Sequence, residues 1–141
     1  MKKKTKILVV FSRYNAPLSL VKSAWQELDK NKVLYDTLGC EGAFEIPVTI
    51  ARYIKRYDAF IAIGIIIKGE TPNFNLISQA ITNGIMNLSI LHKKPIGNAI
   101  LTCLTSAQVK KRVHKGREAV EAVLDVLDPN DNYGGIDFGK P

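Results

Sequence analysis

Asp58 to Phe74, DAFIAIGIIIKGETPNF, is the stretch whose reading decides the fold. Its segment Ala59 to Ile67 runs nine residues without a charge and is rich in isoleucine. Such a run reads as a strand covered on both faces, as strands of a parallel sheet are. Lys68, Gly69 and Glu70 make a polar turn. Thr71 and Pro72 then open a helix, Thr as N-cap and Pro at the first helical position. A junction of this kind points free N–H groups and a helix dipole at the carboxyl end of a central strand, which is a natural seat for phosphate. Lys68 adds a cation beside it. The same joint is common in α/β proteins with no ligand on it, so phosphate binding and a plain structural turn both stay open on geometry alone.

The rest of the chain alternates in the same way. Lys6 to Ser12 (KILVVFS) reads as the first strand, with Arg13, Tyr14 and Asn15 as the turn after it. Asn15 is placed to cap the next helix and Pro17 suits its first turn. Leu18, Val21, Trp25 and Leu28 recur at helical steps and form an inward face. Val33 to Leu38 is a short second strand, and GCEGAFEIP (Gly39 to Pro47) leads into a helix reaching about Arg56 with Ile46, Ile50, Ala51 and Ile54 inward. The third helix spans Pro72 to Leu91, its core stripe Ile77, Ile81, Gly84, Leu88 and Leu91. Its other side, Asn75, Gln79, Thr82, Asn83 and Met86, carries no charge, which suits a face against other subunits better than one in water. Asn98 to Cys103 is strand four. Thr105 or Ser106 caps a last helical region, broken near Arg112, His114 and Lys115 and resumed from Arg117 to Leu127, with Ala119, Val123 and Leu127 inward. The pattern predicts one domain over residues 1–127, a three-layer α/β sandwich with a four-stranded parallel sheet. Residues 128–141, DPNDNYGGIDFGKP, read as a flexible tail.

Composition narrows the partners. The chain has 141 residues, 46% of them hydrophobic, and a formal charge of +7. That is enough apolar material for a core, and it favours an anionic partner: a phosphorylated small molecule, nucleic acid or an anionic membrane. Part of the excess is the N-terminal run Lys2, Lys3, Lys4 and Lys6, a solvated end. No aromatic–glycine signature of RNA binding is visible, so nucleic acid is secondary. Cys40 and Cys103 form no CxxC pair or disulfide framework, which fits reduced thiols and a cytoplasmic setting. The apolar run Ile7 to Phe11 is too short for a signal peptide, and the polar content of Thr71 to Leu91 argues against a membrane span. His92 and His114 lack metal-ligand spacing, so no metal is expected. Tyr14, an aromatic in a loop at a strand's carboxyl end, can stack on a flat ligand or simply sit in solvent. Glu45 lies near a helix start, where the dipole stabilises a carboxylate with or without a ligand.

SRYN after strand one, GAFEIP before helix two, IAIGIIIKGETP into helix three and PIGNAILT in strand four together resemble the lumazine synthase family. The resemblance covers about Lys6 to Leu127 and implies a flavodoxin-like topology. It also implies an activity: joining 5-amino-6-(D-ribitylamino)uracil to 3,4-dihydroxy-2-butanone 4-phosphate, with release of phosphate and water, in riboflavin biosynthesis. No cofactor or metal is implied. By the same resemblance, Tyr14 stacks on the pyrimidine ring, and Ala43, Phe44 and Glu45 hold the ribityl chain. Ile65, Ile66 and Ile67 present strand-end backbone groups to the uracil edge, and Asn98 contacts the pyrimidine. Glu70 and Thr71 take the butanone phosphate, and Arg112 grips it from a neighbouring subunit. A site shared in this way implies a homo-oligomer, a pentamer or a multiple of one.

The chain departs from the family pattern at three places. After TP the family normally has a histidine proposed to move protons; here it is Asn73, an amide that cannot exchange a proton near neutrality. The family loop between Arg112 and the last helix is usually longer and carries a lysine; here only Val113, His114 and Lys115 precede Gly116. Lys68 stands for the usual arginine of the turn, keeping charge without the bidentate fork. Two functions follow as expectations: a lumazine synthase whose activity is reduced, or a catalytically impaired relative that binds a lumazine or flavin-like ligand. A basic nucleic-acid-binding domain is the third reading.

Overall fold

The protein is described here by a computed structural model covering residues 4–69 and 72–129. Glu70 and Thr71, and residues 130–141 of the expected tail, lie outside the described residues. Strand β1 (Lys6–Ser12) is followed by helix α1 (Leu18–Lys30), strand β2 (Leu34–Cys40), a 3-10 turn (Ala43–Glu45) and helix α2 (Ile46–Tyr53). Strand β3 (Ala59–Ile67), helix α3 (Asn73–His92), strand β4 (Ile96–Cys103) and helices α4 (Ser106–Lys110) and α5 (Lys115–Leu127) follow among the described residues. The sheet has four strands in the order β2-β1-β3-β4. Every pair is parallel: Ile7 lies opposite Tyr35 and Ala59, and Ile67 lies opposite Cys103. This is the three-layer arrangement expected from the alternation, with the flavodoxin-like topology that the resemblance implied.

The core explains why β3 lacks charges. Its side chains alternate between two layers. Ala59, Ile61, Ile63 and Ile65 face α1 and α5, together with Ile7, Val9 and Leu20. Phe60 and Ala62 face α2 and α3, together with Leu8, Val10, Ile46 and Ile50. With both faces covered, a charge at Ala59 to Ile65 would have nowhere to go. Each fully buried isoleucine here contributes about 1.5–3 kcal/mol of burial.

Several local expectations are corrected. Leu18 is exposed, and α1 buries Leu20, Val21, Ala24 and Leu28 instead; the helix begins two residues later than an Asn15 cap would start it, which makes Leu18 its first residue. Asn15 occupies the left-handed region (φ 67°), which asparagine tolerates, and Pro17 takes the N-cap position. Trp25 packs only partly on the core and donates from its indole N–H to the Thr37 hydroxyl at 2.9 Å. Pro72 is the N-cap of α3 rather than its first helical residue. Leu91 is 74% exposed, and Ile81 and Ile85 form the buried stripe. α2 stops at Tyr53, short of Arg56, while β2 runs on to Cys40 and β4 starts earlier, at Ile96. Among the described residues no helix is long and apolar enough to cross a membrane.

Candidate functional site

The chain leaves β1 toward α1 on one face and leaves β3 toward α3 on the other. Adjacent parallel strands whose connections part in this way open a crevice at their carboxyl ends, where ligands bind in sheets of this kind. The loops that border it are Arg13–Asn15 after β1, Glu41–Glu45 after β2 and the turn beginning at Lys68 after β3.

Two of these loops are tied together by backbone. The Arg13 amide donates to the Cys40 carbonyl at 2.8 Å, and the Tyr14 amide donates to the Glu41 carbonyl at 3.1 Å. Beneath them is Ser12, the fully buried polar residue of the core, whose hydroxyl donates to the Tyr14 carbonyl at 3.4 Å. The Tyr14 ring is left 71% exposed. Phe44 is also exposed, at 61%, whereas Ala43 and Glu45 are half-buried. The Glu45 carboxylate accepts from the Gly42 amide at 3.0 Å, and its carbonyl accepts from the Thr49 hydroxyl at 2.7 Å. A Cβ on Gly64 would lie 3.1 Å from the Ser12 hydroxyl and 3.3 Å from the Ala43 methyl. That contact brings β3, the Tyr14 loop and the Ala43 turn to one corner. Cys40 closes its floor. Burial pushes its thiol pKa up and the Glu45 charge adds to this, so the thiol stays protonated and unreactive at neutral pH.

Ile66 and Ile67 are half-buried at the end of β3, and Ile65 is buried one residue earlier. The Lys68 amide donates to the Cys103 carbonyl at 3.0 Å, prolonging the ladder into the turn. Lys68 and Gly69 are exposed. Asn73 is the first residue of α3 and is exposed.

Two expected residues stand apart from this corner within one chain. Asn98 lies opposite Ala62, whereas the crevice end of β3 is opposite Thr102 and Cys103. The corner itself is level with Gly64, whose partner on β4 is Ile100, so Asn98 sits two residues, or about 7 Å, back along the edge strand. Its side-chain oxygen accepts from the Ile100 amide at 3.0 Å. Arg112 follows β4, the edge strand farthest from β2; it is exposed and donates to the Gln108 carbonyl at 2.9 Å. Lys115 is drawn to Glu118 at 3.3 Å, and His114 meets the same carboxylate at 3.4 Å.

Sequence reasoning passed over Ser12 and Arg13. Both belong to the SRYN stretch, but a buried hydroxyl and a guanidinium turned onto a carbonyl give no periodic signal. A shallow apolar cleft of about 340 Å³ adjoins the corner, lined by Phe44, Glu45, Pro47, Val48, Ala80 and Ile81. A larger cavity, about 670 Å³, lies at the opposite end of the sheet by Thr5 and Val33. Its ionisable lining is Glu27, Glu121, Asp125 and Asp128, the wrong sign for an anionic substrate.

A family model described as 6,7-dimethyl-8-ribityllumazine synthase matches residues 4–130. Proteins of that name are similar along nearly the whole chain. The one from Bartonella tribocorum is 33% identical over 144 residues, covering 95% of each chain. The one from Agrobacterium fabrum is 32% identical over 146 residues, covering 94% of this chain and 99% of its own. The one from Nitrobacter hamburgensis is 34% identical over 134 residues, covering 85% and 82%.

Proposed function

The chain belongs to the 6,7-dimethyl-8-ribityllumazine synthase family, and from that premise we propose that it is a transferase of riboflavin biosynthesis. It condenses 5-amino-6-(D-ribitylamino)uracil with 3,4-dihydroxy-2-butanone 4-phosphate to 6,7-dimethyl-8-ribityllumazine. The pyrimidine's 5-amino group attacks the ketone and water is lost as the imine forms. Phosphate leaves from the neighbouring carbon framework. Its elimination together with the C3 proton leaves an enol that tautomerises to a new carbonyl at C3, and the second nitrogen closes the ring onto that carbonyl with loss of water.

The observation that carries this reading is the corner itself. An exposed tyrosine and a half-buried carboxylate share one backbone-tied pair of loops at the carboxyl end of a parallel sheet. Tyr14 offers a ring face to the pyrimidine, and Ala43, Phe44 and Glu45 offer the ribityl chain an acceptor and a wall. Ile65, Ile66 and Ile67 bring backbone groups to the uracil edge. Glu70 and Thr71, with Lys68 before them, are assigned to the phosphate. Holding both substrates in register can lower the barrier by about 7–11 kcal/mol with no proton donor on the protein.

Asn98 and Arg112 enter this scheme from a neighbouring copy, since neither stands at the corner of its own chain. The assembly is accordingly a homopentamer or a multiple of one, in the cytoplasm, with no nucleic-acid or membrane partner. The uncharged outer face of α3, with Met86 exposed, suits contact between copies.

A second reading is favoured by Asn73. It occupies the start of α3, and His92, at the far end of that 20-residue helix, is about 28 Å away along the axis. On this reading the protein binds a lumazine or flavin-like ligand without turnover. Incubation with both substrates, following the lumazine chromophore and released phosphate, tests the choice. Product above the uncatalysed rate supports the synthase. Lumazine binding with no such product supports the second reading. Sedimentation as a monomer at micromolar concentration contradicts the shared site.

A further inference from the structure

We infer that Arg13 is a positioning residue of this site: its guanidinium clamps the Tyr14 loop to the end of β2, directly before the loop that carries Glu45, and so fixes the gap between the two loops. The inference rests on the proposed reading of the corner and adds a residue to it. Arg13 Nη1 donates to the Gly39 carbonyl at 2.8 Å. The same residue's amide donates to the Cys40 carbonyl. One residue therefore grips two consecutive carbonyls where β2 ends, directly before the Glu41–Glu45 loop.

The packing beneath the side chain points the same way. A Cβ on Gly39 would stand 3.2 Å from both Arg13 Cγ and Arg13 Nη1, and 3.0 Å from the Phe11 ring. The arginine thus lies flat on a glycine, and a larger residue at position 39 would lift it. Arg13 is solvent-exposed and contributes nothing to the hydrophobic core. Its side-chain hydrogen bond spans 26 residues of sequence and ties the segment that presents Tyr14 to the strand end that leads into the Glu45 loop. A bond from a charged donor is directional and stronger than a neutral one, which suits a clamp whose lost rigidity is felt by the ligand.

The test compares Arg13→Gln, Arg13→Lys and Gly39→Ala with the full-length wild-type chain. Arg13→Gln is expected to raise KM for the ribitylaminopyrimidine about three- to tenfold, with KM for the butanone phosphate changed less than about twofold. Arg13→Lys, which can still donate to the Gly39 carbonyl, recovers part of that loss. Gly39→Ala shifts KM in the same direction as Arg13→Gln. Peptide-resolved hydrogen exchange is the readout independent of activity: amides of residues 13–15 and 40–42 exchange faster in Arg13→Gln, with global protection elsewhere unchanged. Equal effects on both substrates with a lower Tm would make Arg13 a general stabiliser and overturn the inference. So would unchanged exchange in the two loops. If the wild-type chain forms no lumazine, the proposed reaction fails by itself, and the exchange comparison still decides the clamp.

Discussion

Glu45 reaches back three residues to Gly42, whose amide donates to its carboxylate at 3.0 Å. The bond closes the loop and holds the carboxylate at the crevice. It uses one of about four lone-pair positions, leaving acceptor capacity for a polyhydroxylated chain. Glu45→Gln keeps an oxygen for Gly42 and loses the charge; Glu45→Ala loses both. Hydrogen bonds to charged acceptors are roughly twice as strong as neutral ones. Glu45→Gln is therefore expected to raise KM for the ribityl substrate by about tenfold with Tm nearly unchanged. Glu45→Ala raises it further and lowers stability by about 1 kcal/mol. Steady-state kinetics and thermal melts on both variants check this; equal Tm and KM in the two would remove the loop-closing role.

Asn73 sets the pH dependence. An amide does not titrate in the working range, so the wild-type kcat profile has no imidazole limb near pH 6.5. Asn73→His places a titratable ring at the start of α3, where the structure leaves the side chain exposed. The variant is expected to gain at least about 10² in kcat, the low end of what a general acid–base supplies, and to acquire that limb. Profiles measured from pH 5 to 9 decide it. A wild-type limb at the same pH would mean another group already moves the proton.

These expectations draw on a fold that was legible for simple reasons. β3 must be apolar on both faces because two helical layers cover it, so a nine-residue uncharged run admits few other readings. Ile46 and Ile50 of α2, Ile54 at its end, and Ala119 and Val123 of α5 followed from spacing, whereas Ala51 and Leu127 are only half-buried and the fully buried Val120 was missed. What spacing missed was set by contacts between distant segments. Leu18 looked like core until the left-handed turn at Asn15 moved the start of α1. The loop of Tyr14 and the turn of Glu45 are 31 residues apart in sequence, and their meeting depends on β1 pairing with β2 in one register. Arg13 gripping Gly39 is a consequence of that register, invisible in either segment read singly. Asn98 is set back from the corner by its position along β4, and Arg112 by the place of β4 at the sheet edge.

Gly97 is where β4 meets α5. A Cβ there would stand 2.6 Å from the Ala119 carbonyl oxygen and 3.0 Å from both Ile61 Cδ1 and Val123 Cγ2. The first neighbour is helix backbone and cannot move without shifting α5. Gly97→Ala is expected to cost about 1–3 kcal/mol, the range for overpacking a filled core. Gly69→Ala, with nothing among the described residues within 4 Å of its Cβ, is the neutral control for stability. Urea unfolding monitored by Trp25 fluorescence measures both. A Gly97→Ala midpoint equal to wild type would mean that α5 is less firmly seated than the contacts imply.

Tyr57 contributes to stability at alkaline pH. Its hydroxyl donates to Asp36 Oδ2 at 2.6 Å, Lys6 Nζ stands 3.2 Å from the same oxygen, and the lysine lies 5.5 Å from the Tyr57 ring centre. The hydrogen bond to the Asp36 carboxylate, with desolvation behind it, pushes the Tyr57 pKa up to about 12. The same bond, then Lys6, holds the Asp36 carboxyl below its usual range. The signs are opposite. A phenol whose folded pKa is raised stabilises the fold fully below its unfolded value near 10, and the gain is lost as pH rises through about 12. A carboxyl whose folded pKa is lowered stabilises above its unfolded value, near 3.8, and the gain is lost as pH falls through the lower folded value. Tyr57→Phe is expected to flatten both limbs: Tm should fall less steeply between pH 10 and 12, and less steeply below pH 4. Ultraviolet titration of the five tyrosines should also lose a component near pH 12 in this variant. Identical alkaline melting curves for wild type and Tyr57→Phe would show that the hydroxyl does not favour Asp36 over water.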